Sequence, residues 1–167
     1  ELVYVGDAGN TEAGRSSRRT GIEWSNHWTP GEHFLIDANF AWTRPRYSDK
    51  DVIGNYIVNA VQKVANLSFG FRNFEPWSGS MSIRYLGSAP LIEDNSVRSA
   101  TSLTTNLRIN RKISNEFDIA CDVLNLFDRK NNDISYYYTS RVSGEPLAGV
   151  NGLHSHPAEP RNVRVTA

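Results

Sequence analysis

The sequence predicts an all-β protein whose antiparallel strands cross a membrane as part of an up-and-down β-barrel. Three observations predict this class: apolar and polar side chains alternate along several segments, long and short connections follow one another in turn, and aromatic residues stand at both ends of the segments. A side-chain period of two indicates strands with two chemically different faces. Short turns at one end and long loops at the other are typical of outer-membrane barrels.

The composition excludes other classes of protein. The chain has 167 residues, and 18 basic side chains balance 18 acidic ones, so no basic surface of the kind that binds nucleic acid is expected. The mean hydropathy is −0.48, and no window holds about 18 consecutive apolar residues, so no transmembrane helix is predicted. The strands of a β-barrel do not contain such a long apolar window, because only every second residue faces lipid. Cys121 is the one cysteine, and we interpret it as a small residue on an apolar face.

About eight strands are predicted, a number within the range of outer-membrane barrels, and we expect the first and last to be incomplete. In chain order they are Leu2–Val5, Arg18–Trp28, His33–Thr43, Ala60–Asn73, Trp77–Ser88, Thr101–Arg111, Asn115–Asp128 and Arg161–Ala167. The third alternates most cleanly, with Phe34 and Phe40 on one face and Asp37 and Asn39 on the other. This pattern predicts an apolar face and a polar face that run through the whole sheet.

The segment Asn115–Asp128 carries a long predicted strand. Ile119 and Val123 point to one face, and Asp118 and Asp122 point to the other. At about a dozen residues it exceeds the usual strand of a soluble protein and matches a strand that crosses a bilayer. Alternation alone leaves a soluble β-sandwich open, because there the apolar face would be a core.

The connections and the aromatic residues favour the membrane. Short turns are predicted at Thr29–Glu32, Phe74–Pro76 and Lys112–Ser114. The long connections, expected to be extracellular, are Gly6–Ser17, Arg44–Asn59, Ala89–Ala100 and Arg129–Pro160. Aromatic residues beside the short turns are Trp28, Phe34, Phe74 and Trp77, and those beside the long loops are Trp42, Tyr47, Tyr85 and Phe127. Two aromatic bands are typical of the two interfaces of a membrane.

An ordered set of motifs resembles the C-terminal barrel portion of TonB-dependent outer-membrane receptors. N-L-F-D at Asn125–Asp128 is similar to an element that closes a strand of these proteins, and R-T-G-I-E-W at Arg19–Trp24 resembles another recurrent strand. Pro90–Ser99, Asp133–Arg141 and His156–Arg161 resemble loops of one proteobacterial subgroup. The resemblance covers essentially the whole chain.

The resemblance implies a function in transport rather than catalysis. It implies a 22-stranded barrel in the bacterial outer membrane that imports a siderophore or another large, scarce nutrient, with residues 1–167 forming C-terminal strands and loops. The implied partners are outer-membrane lipid, an N-terminal plug domain and the TonB energy-transducing complex. No segment matches the plug. We expect a piece of a longer chain that continues beyond Ala167, because such receptors usually end in an aromatic residue. No cofactor is expected.

The candidate ligand-binding residues lie in the predicted outer loops, and they are Arg44, Arg46, Arg98, Tyr136, Tyr137, Arg141, His154 and His156. Guanidinium groups bind carboxylate, catecholate and phosphate oxygens, and the tyrosines could form a platform for a ligand. The two imidazoles near Glu159 suit a transition metal. Ordinary surface polarity, or a strand that continues above the membrane, explains the same residues, so no metal site is assigned.

Other side chains are expected to form the inner wall of the barrel and to contact the plug, and they are Asp37, Arg72, Arg84, Arg108, Asp118 and Asp122. No catalytic residue is predicted, because neither a G-x-S-x-G elbow nor a phosphate-binding glycine loop occurs. Two alternatives stay open. One is a small eight-stranded outer-membrane barrel with a structural or adhesive role, and the other is a soluble β-sandwich binding module.

Overall fold

The computed structural model describes residues 2–5, 10–49 and 53–167, and their regular structure consists of strands. In chain order the strands are β1 (Leu2–Val5), β2 (Asn10–Ala13), β3 (Ser17–Trp28), β4 (Phe34–Tyr47), β5 (Lys63–Phe74), β6 (Trp77–Leu86), β7 (Ser102–Lys112), β8 (Asp118–Leu124), β9 (Asn132–Ser140), β10 (Val150–Pro157) and β11 (Asn162–Thr166). Within these residues no helix has the length and apolar character needed to cross a membrane.

Seven of the strands form one antiparallel sheet in the order β11-β8-β7-β6-β5-β4-β3. From β3 to β8 each strand pairs with its neighbour in sequence, which is the up-and-down arrangement that the sequence predicts. Two separate hairpins, β1–β2 and β9–β10, complete the structure. The second hairpin is inserted between β8 and β11, which pair directly with each other.

One face of the sheet, called the outer face, is apolar across all seven strands. Neighbouring strands place apolar residues opposite one another in rows, such as Trp24, Phe40, Ala65, Tyr85 and Leu103. A second row is Trp28, Ile36, Phe69, Met81, Leu107, Val123 and Val163. These side chains are exposed: Trp24 keeps 53% of its surface and Leu67 keeps 46%. The outer face is therefore not the core of a soluble protein.

The opposite face, called the inner face, is polar. His27 Nδ1 lies 2.6 Å from Asp37 Oδ1, and Arg108 lies across from Asp122 at 3.3 Å. A row of Ser25, Asn39, Asn66, Arg84 and Thr104 crosses five strands. The predicted division into an apolar and a polar face is confirmed by this register.

The two ends of the sheet differ as predicted. Short turns at 29–33, 75–76 and 113–117 join the strands at one end. The connections 48–62, 87–101 and 125–161 stand at the other, which we call the long-connection end. Apart from Ala120 in β8, the buried apolar side chains of the described residues lie at or beyond this end, and they include Tyr47, Ile57, Pro90 and Leu91.

The prediction for Asn115–Asp128 is wrong in its extent. Strand β8 covers only Asp118–Leu124, and Asn125–Asp128 is a turn. Asn125 and Asp128 have positive φ values of 49° and 50°, a conformation that asparagine and aspartate tolerate better than most residues. The Asn125 side chain closes the turn by donating to the carbonyls of Arg129 and Glu159 at 3.0 and 3.2 Å.

Three predicted loops contain strands. Asn10–Ala13 pairs with Leu2–Val5, so the predicted loop Gly6–Ser17 is partly strand, and its residues 6–9 lie outside the described part. Strand β4 extends to Tyr47, and the predicted connection Arg129–Pro160 holds the hairpin β9–β10. Its I-S-Y-Y-Y-T sequence is rich in residues that favour strands. The hairpin agrees with the alternative interpretation of the tyrosines as part of a strand that continues above the membrane.

Candidate ligand-capture surface

Two long connections pack against each other at the long-connection end. We call residues 53–62 and 87–101 together the loop cap. Tyr56 donates its backbone N–H to the Glu93 carbonyl at 3.0 Å, and Asn59 donates to the Pro90 carbonyl at 2.8 Å. Gly54 has a φ of 137°, and a Cβ there would lie 2.2 Å from the Glu93 oxygen. Only glycine permits this close approach of the two backbones.

Arg15 joins the loop cap to the end of β4. Its Nε donates to both Asp49 carboxylate oxygens at 3.0 and 2.8 Å, and its Nη1 donates to Glu93 at 2.5 Å. Its Nη2 also donates to the Gly54 carbonyl at 3.1 Å, and the guanidinium lies 4.3 Å from the centre of the Tyr47 ring. The hydrogen bond from Arg15 holds the pKa of the Asp49 carboxyl below its usual value. Arg15 therefore fixes two connections that are distant in sequence.

The predicted ligand residue Arg98 lies inside the loop cap. Its Nε donates to Ser88 Oγ at 3.0 Å, its Nη2 donates to the Ser88 carbonyl at 2.7 Å, and its Nη1 donates to the side chain of Asn95. These contacts stabilise the turn between residues 88 and 98. Ligand binding by Arg98 stays a prediction, and most of its donors are already engaged.

Arg44 and Arg46, which were also predicted to bind the ligand, lie within β4 rather than in a loop. Arg44 is opposite Thr20 and Arg46 is opposite Arg18, in the same alternating series as Trp42. They consequently extend the outer face beyond its apolar rows. The Arg46 guanidinium lies 3.6 Å from the centre of the Tyr56 ring.

The hairpin β9–β10 carries the remaining candidates and presents two faces. Tyr136 is opposite His154, whose ring stacks on Tyr138 at a centroid distance of 4.0 Å. Tyr137 points to the other face, opposite Leu153. The two predicted platform residues Tyr136 and Tyr137 are therefore not on one surface, and Tyr138 takes the second place beside Tyr136.

The tip and the base of the hairpin hold the last candidates. Arg141 donates to the Glu145 carbonyl at 3.1 Å, within the turn that joins the two strands. His156 lies 3.8 Å from Asp133. Among the residues that the structure describes, no group of three or more histidine, cysteine, aspartate or glutamate side chains could hold a metal ion.

A buried asparagine that sequence reasoning missed anchors the hairpin to the sheet. The Asn131 amide donates to the Leu103 carbonyl at 3.0 Å and accepts from the Leu103 N–H at 3.2 Å. Its backbone carbonyl accepts from the N–H of Ala158, on the returning strand, at 3.0 Å. Nothing in the local sequence marks this asparagine, because its partners are distant along the chain.

A cavity of about 210 Å³ opens between the loop cap and the base of the hairpin. Its polar lining residues are Asn59, Ser99, Ser102, Asn132, Asp133 and Ser135. No local pattern predicts this cavity, because its lining residues are distant from one another along the chain. The long-connection end thus combines a packed loop cap, an anchored hairpin and a small polar cavity between them.

The fold of the seven-stranded sheet is similar to a segment of the barrels of two solved receptors. The ferric yersiniabactin uptake receptor FyuA from Yersinia pestis matches with a TM-score of 0.73 and 19% identity, over 89% of this chain and 23% of its own. The ferric-catecholate import receptor Fiu from Escherichia coli K12, in its closed form, matches with a TM-score of 0.69 and 16% identity, over 99% of this chain and 22% of its own.

These matches confirm, for the fold, the predicted likeness to the barrel of TonB-dependent receptors. The chain spans less than a quarter of the length of either receptor. The sequence itself matches no protein-family model and no curated protein. Both similar structures are receptors for uptake or import rather than enzymes.

Proposed function

We propose that the chain forms part of the barrel wall of a TonB-dependent outer-membrane receptor that imports a ferric siderophore or another large, scarce nutrient. The exposed, continuous apolar outer face is the observation that carries this proposal. An apolar surface of this extent requires a partner, and lipid covers one side of a barrel wall without any further protein layer.

The height of the outer face supports a membrane-spanning role. Six successive rows of the sheet are mainly apolar, from the row of Phe74 and Trp77 to the row of Ile22 and Trp42. The two end rows also hold Arg111 and Lys63, and Asn26 and Thr105 share the row of Leu67. Five steps of two residues each span about 33 Å along the strands. At the strand tilt usual in barrels this corresponds to about 25 Å across the membrane, which is the height of the apolar band of outer-membrane barrels.

The two alternatives fit the same sheet less well. In a soluble β-sandwich a second sheet would cover the outer face, whereas Trp24, Phe40 and Leu67 are exposed. In a closed eight-stranded barrel the two edge strands would pair with each other. Here β3 and β11 stand at opposite edges of the sheet. An open segment of a larger barrel accounts for both observations.

The inner face suits a wall that encloses a plug domain. It carries the contact between His27 and Asp37 and the ion pair Arg108–Asp122, and Arg84 lies on the same face. A polar wall can contact a plug through hydrogen bonds that break and re-form at low net cost. Transport would then use energy supplied through TonB, and the barrel residues would carry out no covalent step.

Ligand capture is proposed for the long-connection end, facing the outside of the cell. The exposed rings of Tyr136 and Tyr138 offer apolar contact, and the cavity beside the loop cap offers polar groups. A ferric siderophore, with aromatic or polar iron-binding groups, matches such a mixed surface. The two similar structures are an uptake receptor for ferric yersiniabactin and an import receptor for a ferric catecholate, which supports this ligand class.

Growth under iron limitation tests the ligand class. A strain that lacks the gene is supplied with single ferric siderophores of catecholate, hydroxamate and phenolate type, and with cobalamin as an iron-free comparison. We expect loss of growth on one siderophore class and its recovery when the gene is restored. Equal growth on all of them with and without the gene would contradict import of these nutrients.

Assembly in the membrane tests the barrel itself. Ile119 lies on the outer face and Asp122 on the inner face of the same strand, so Ile119→Asp and Asp122→Asn form a matched pair. A charge on the lipid side costs about 2–4 kcal/mol near the middle of the bilayer and less near its surface. We expect Ile119→Asp to reduce the amount of heat-modifiable barrel in the outer membrane and Asp122→Asn to leave it unchanged. Equal assembly of both variants would show that the two faces are assigned incorrectly.

A further inference from the structure

Three arginines stand on the outer face where its apolar rows end. The row of Ile22 and Trp42 is followed, toward the long-connection end, by Thr20 and Arg44. The next row pairs Arg18 with Arg46. No bulge interrupts the pairing of β3 with β4, so the alternation carries all three arginines to the lipid side.

The three side chains, which we call the outer arginine cluster, line a common cavity of about 480 Å³. Its other lining residues are Thr20, Tyr47, Ser48 and Asn55, and no acidic side chain is among the described ones. Arg46 is held on the Tyr56 ring and donates to the Pro45 carbonyl at 2.6 Å. Arg18 and Arg44 make no hydrogen bond or ion pair with any part of the chain that the structure describes.

We propose that the outer arginine cluster binds the phosphate-bearing headgroup of a lipid in the surrounding membrane. Planar guanidinium groups bind phosphate oxygens in pairs. Three positive charges in a cavity whose described lining holds no acidic side chain attract an anion. Each row rises about 7 Å along the strand, so the cluster begins one row above the last apolar row, where headgroups start. This inference rests on the proposed function, because it requires the outer face to contact lipid.

The placement favours a lipid over the imported nutrient. Arg44 and Arg46 were predicted to contact the nutrient, but they extend from the face opposite the polar inner wall. A nutrient on its way into the barrel would meet the inner face, while a lipid beside the barrel meets the outer face. The aromatic residue Trp42, directly below the cluster, is suited to the same interfacial level.

Binding of a short-chain lipid tests the inference. The full-length receptor is purified in a non-ionic detergent and titrated by calorimetry with dihexanoyl phosphatidic acid, with dihexanoyl phosphatidylcholine and with inorganic phosphate. The test variant combines Arg18→Gln, Arg44→Gln and Arg46→Gln. The matched control is Arg111→Gln, because Arg111 lies on the same face at the short-turn end, 5.2 Å from the Trp77 ring.

We expect phosphatidic acid to bind, and the triple variant to bind it on the order of tenfold more weakly or worse, since each basic residue contributes measurably to such contacts. Arg111→Gln should bind as the natural protein does. Equal binding by the triple variant, or an equal loss in Arg111→Gln, would overturn the inference. Inorganic phosphate bound as tightly as the lipid would overturn the assignment to a lipid.

Failure of the inference differs from failure of the proposed function. Heat-modifiable migration of the natural protein and of both variants reports the barrel independently of lipid binding. If the barrel assembles and phosphatidic acid binds all three proteins equally, only the inference is wrong. If the natural protein forms no heat-modifiable barrel, the proposed function is wrong and the inference falls with it.

Discussion

The loop cap and the hairpin β9–β10 stand at the same end of the sheet, yet they are built in opposite ways. The loop cap buries Ile57, Ala89 and Leu91 and ties its two connections together through Arg15. The hairpin leaves large side chains in solvent, with Leu147 exposed to 89% and Leu153 to 54%, and is held mainly at its base. Local stability follows buried apolar contact, so we infer a rigid cap beside an adaptable hairpin.

This difference matters for a surface that has to capture a ligand and then release it. A rigid element keeps the entrance in shape, and an adaptable element can close on a ligand at low cost in free energy. If this inference is correct, substitutions that loosen the loop cap reduce its protection against hydrogen exchange and proteolysis. Substitutions at the base of the hairpin mainly weaken ligand binding.

Gly54→Ala should produce the largest effect on the loop cap. The new Cβ would lie 2.2 Å from the Glu93 carbonyl oxygen, and the φ of 137° is unfavourable for alanine. Strain and overlap together cost about 2–4 kcal/mol of local stability. Hydrogen exchange of the Tyr56 and Asn59 amides measures the loss. Gly144→Ala is the control, since Gly144 has a positive φ but no atom within 4 Å of the added Cβ. Unchanged protection in Gly54→Ala would contradict the close packing of the cap.

Arg15→Gln should loosen the cap to a smaller extent. It removes the hydrogen bonds to Asp49 and Glu93, both of which are partly exposed. Because solvent screens exposed pairs, we expect a smaller loss than in Gly54→Ala, caused mainly by the part-buried hydrogen bonds to Glu93 and to the Gly54 carbonyl. Limited proteolysis between residues 53 and 62 measures this loss. Arg141→Gln, at the hairpin tip, should leave that cleavage unchanged, and equal cleavage in both variants would show that Arg15 has no special role.

Asn131→Ala should release the hairpin while the cap stays intact. The substitution leaves the Leu103 N–H and carbonyl without their side-chain partners, at a cost of about 1–3 kcal/mol. We expect faster hydrogen exchange in β9 and weaker ligand uptake, with the Tyr56 amide still protected. Leu147→Ser, at an exposed position, serves as the control. Loss of protection in the cap as well would show that the two regions are one unit.

Acid should weaken the cap slightly through Asp49. The pKa of Asp49 is lowered in the folded state by the hydrogen bond from Arg15. The carboxylate therefore adds stability that is fully present above its ordinary pKa of 3.8 and is lost as the pH falls through the lower folded value. Proteolysis of the cap should be constant from about pH 5 to pH 8 and rise only in stronger acid. Asp49→Asn should remove this increase in proteolysis. An increase that begins near pH 6 in the natural protein would show that a group other than Asp49 causes it.

The sequence predicted the two faces of the sheet well because alternation is a local property. Phe34, Asp37 and Phe40 report their faces in any strand of this period, whatever lies beside them. The end of β8 was harder to predict: the alternation stops at Asn125, but the predicted strand was continued through N-L-F-D to Asp128. Only the side-chain contacts of Asn125 reveal a turn.

The surface at the long-connection end depends on contacts between distant residues, which no local pattern encodes. Arg15 meets Glu93 and Asn131 meets Leu103 across long stretches of chain. Arg98 was selected for its chemistry, and its engagement by Ser88 could not be foreseen. The sequence also does not show which tyrosines share a surface. Tyr137 and Tyr138 are neighbours in sequence but point to opposite faces of a hairpin.

The position of Asn131 has a consequence for how this protein can be engineered and how it can diversify. Its side chain binds β7, and its carbonyl binds Ala158, so the outgoing and returning ends of the hairpin are clamped together at the sheet. A segment inserted between residues 141 and 149 would therefore extend from a hairpin whose two ends stay bound to the sheet. Reporter epitopes or fluorophores attached there would project from the receptor without altering strand register, and natural variants could change the reach of the hairpin in the same way.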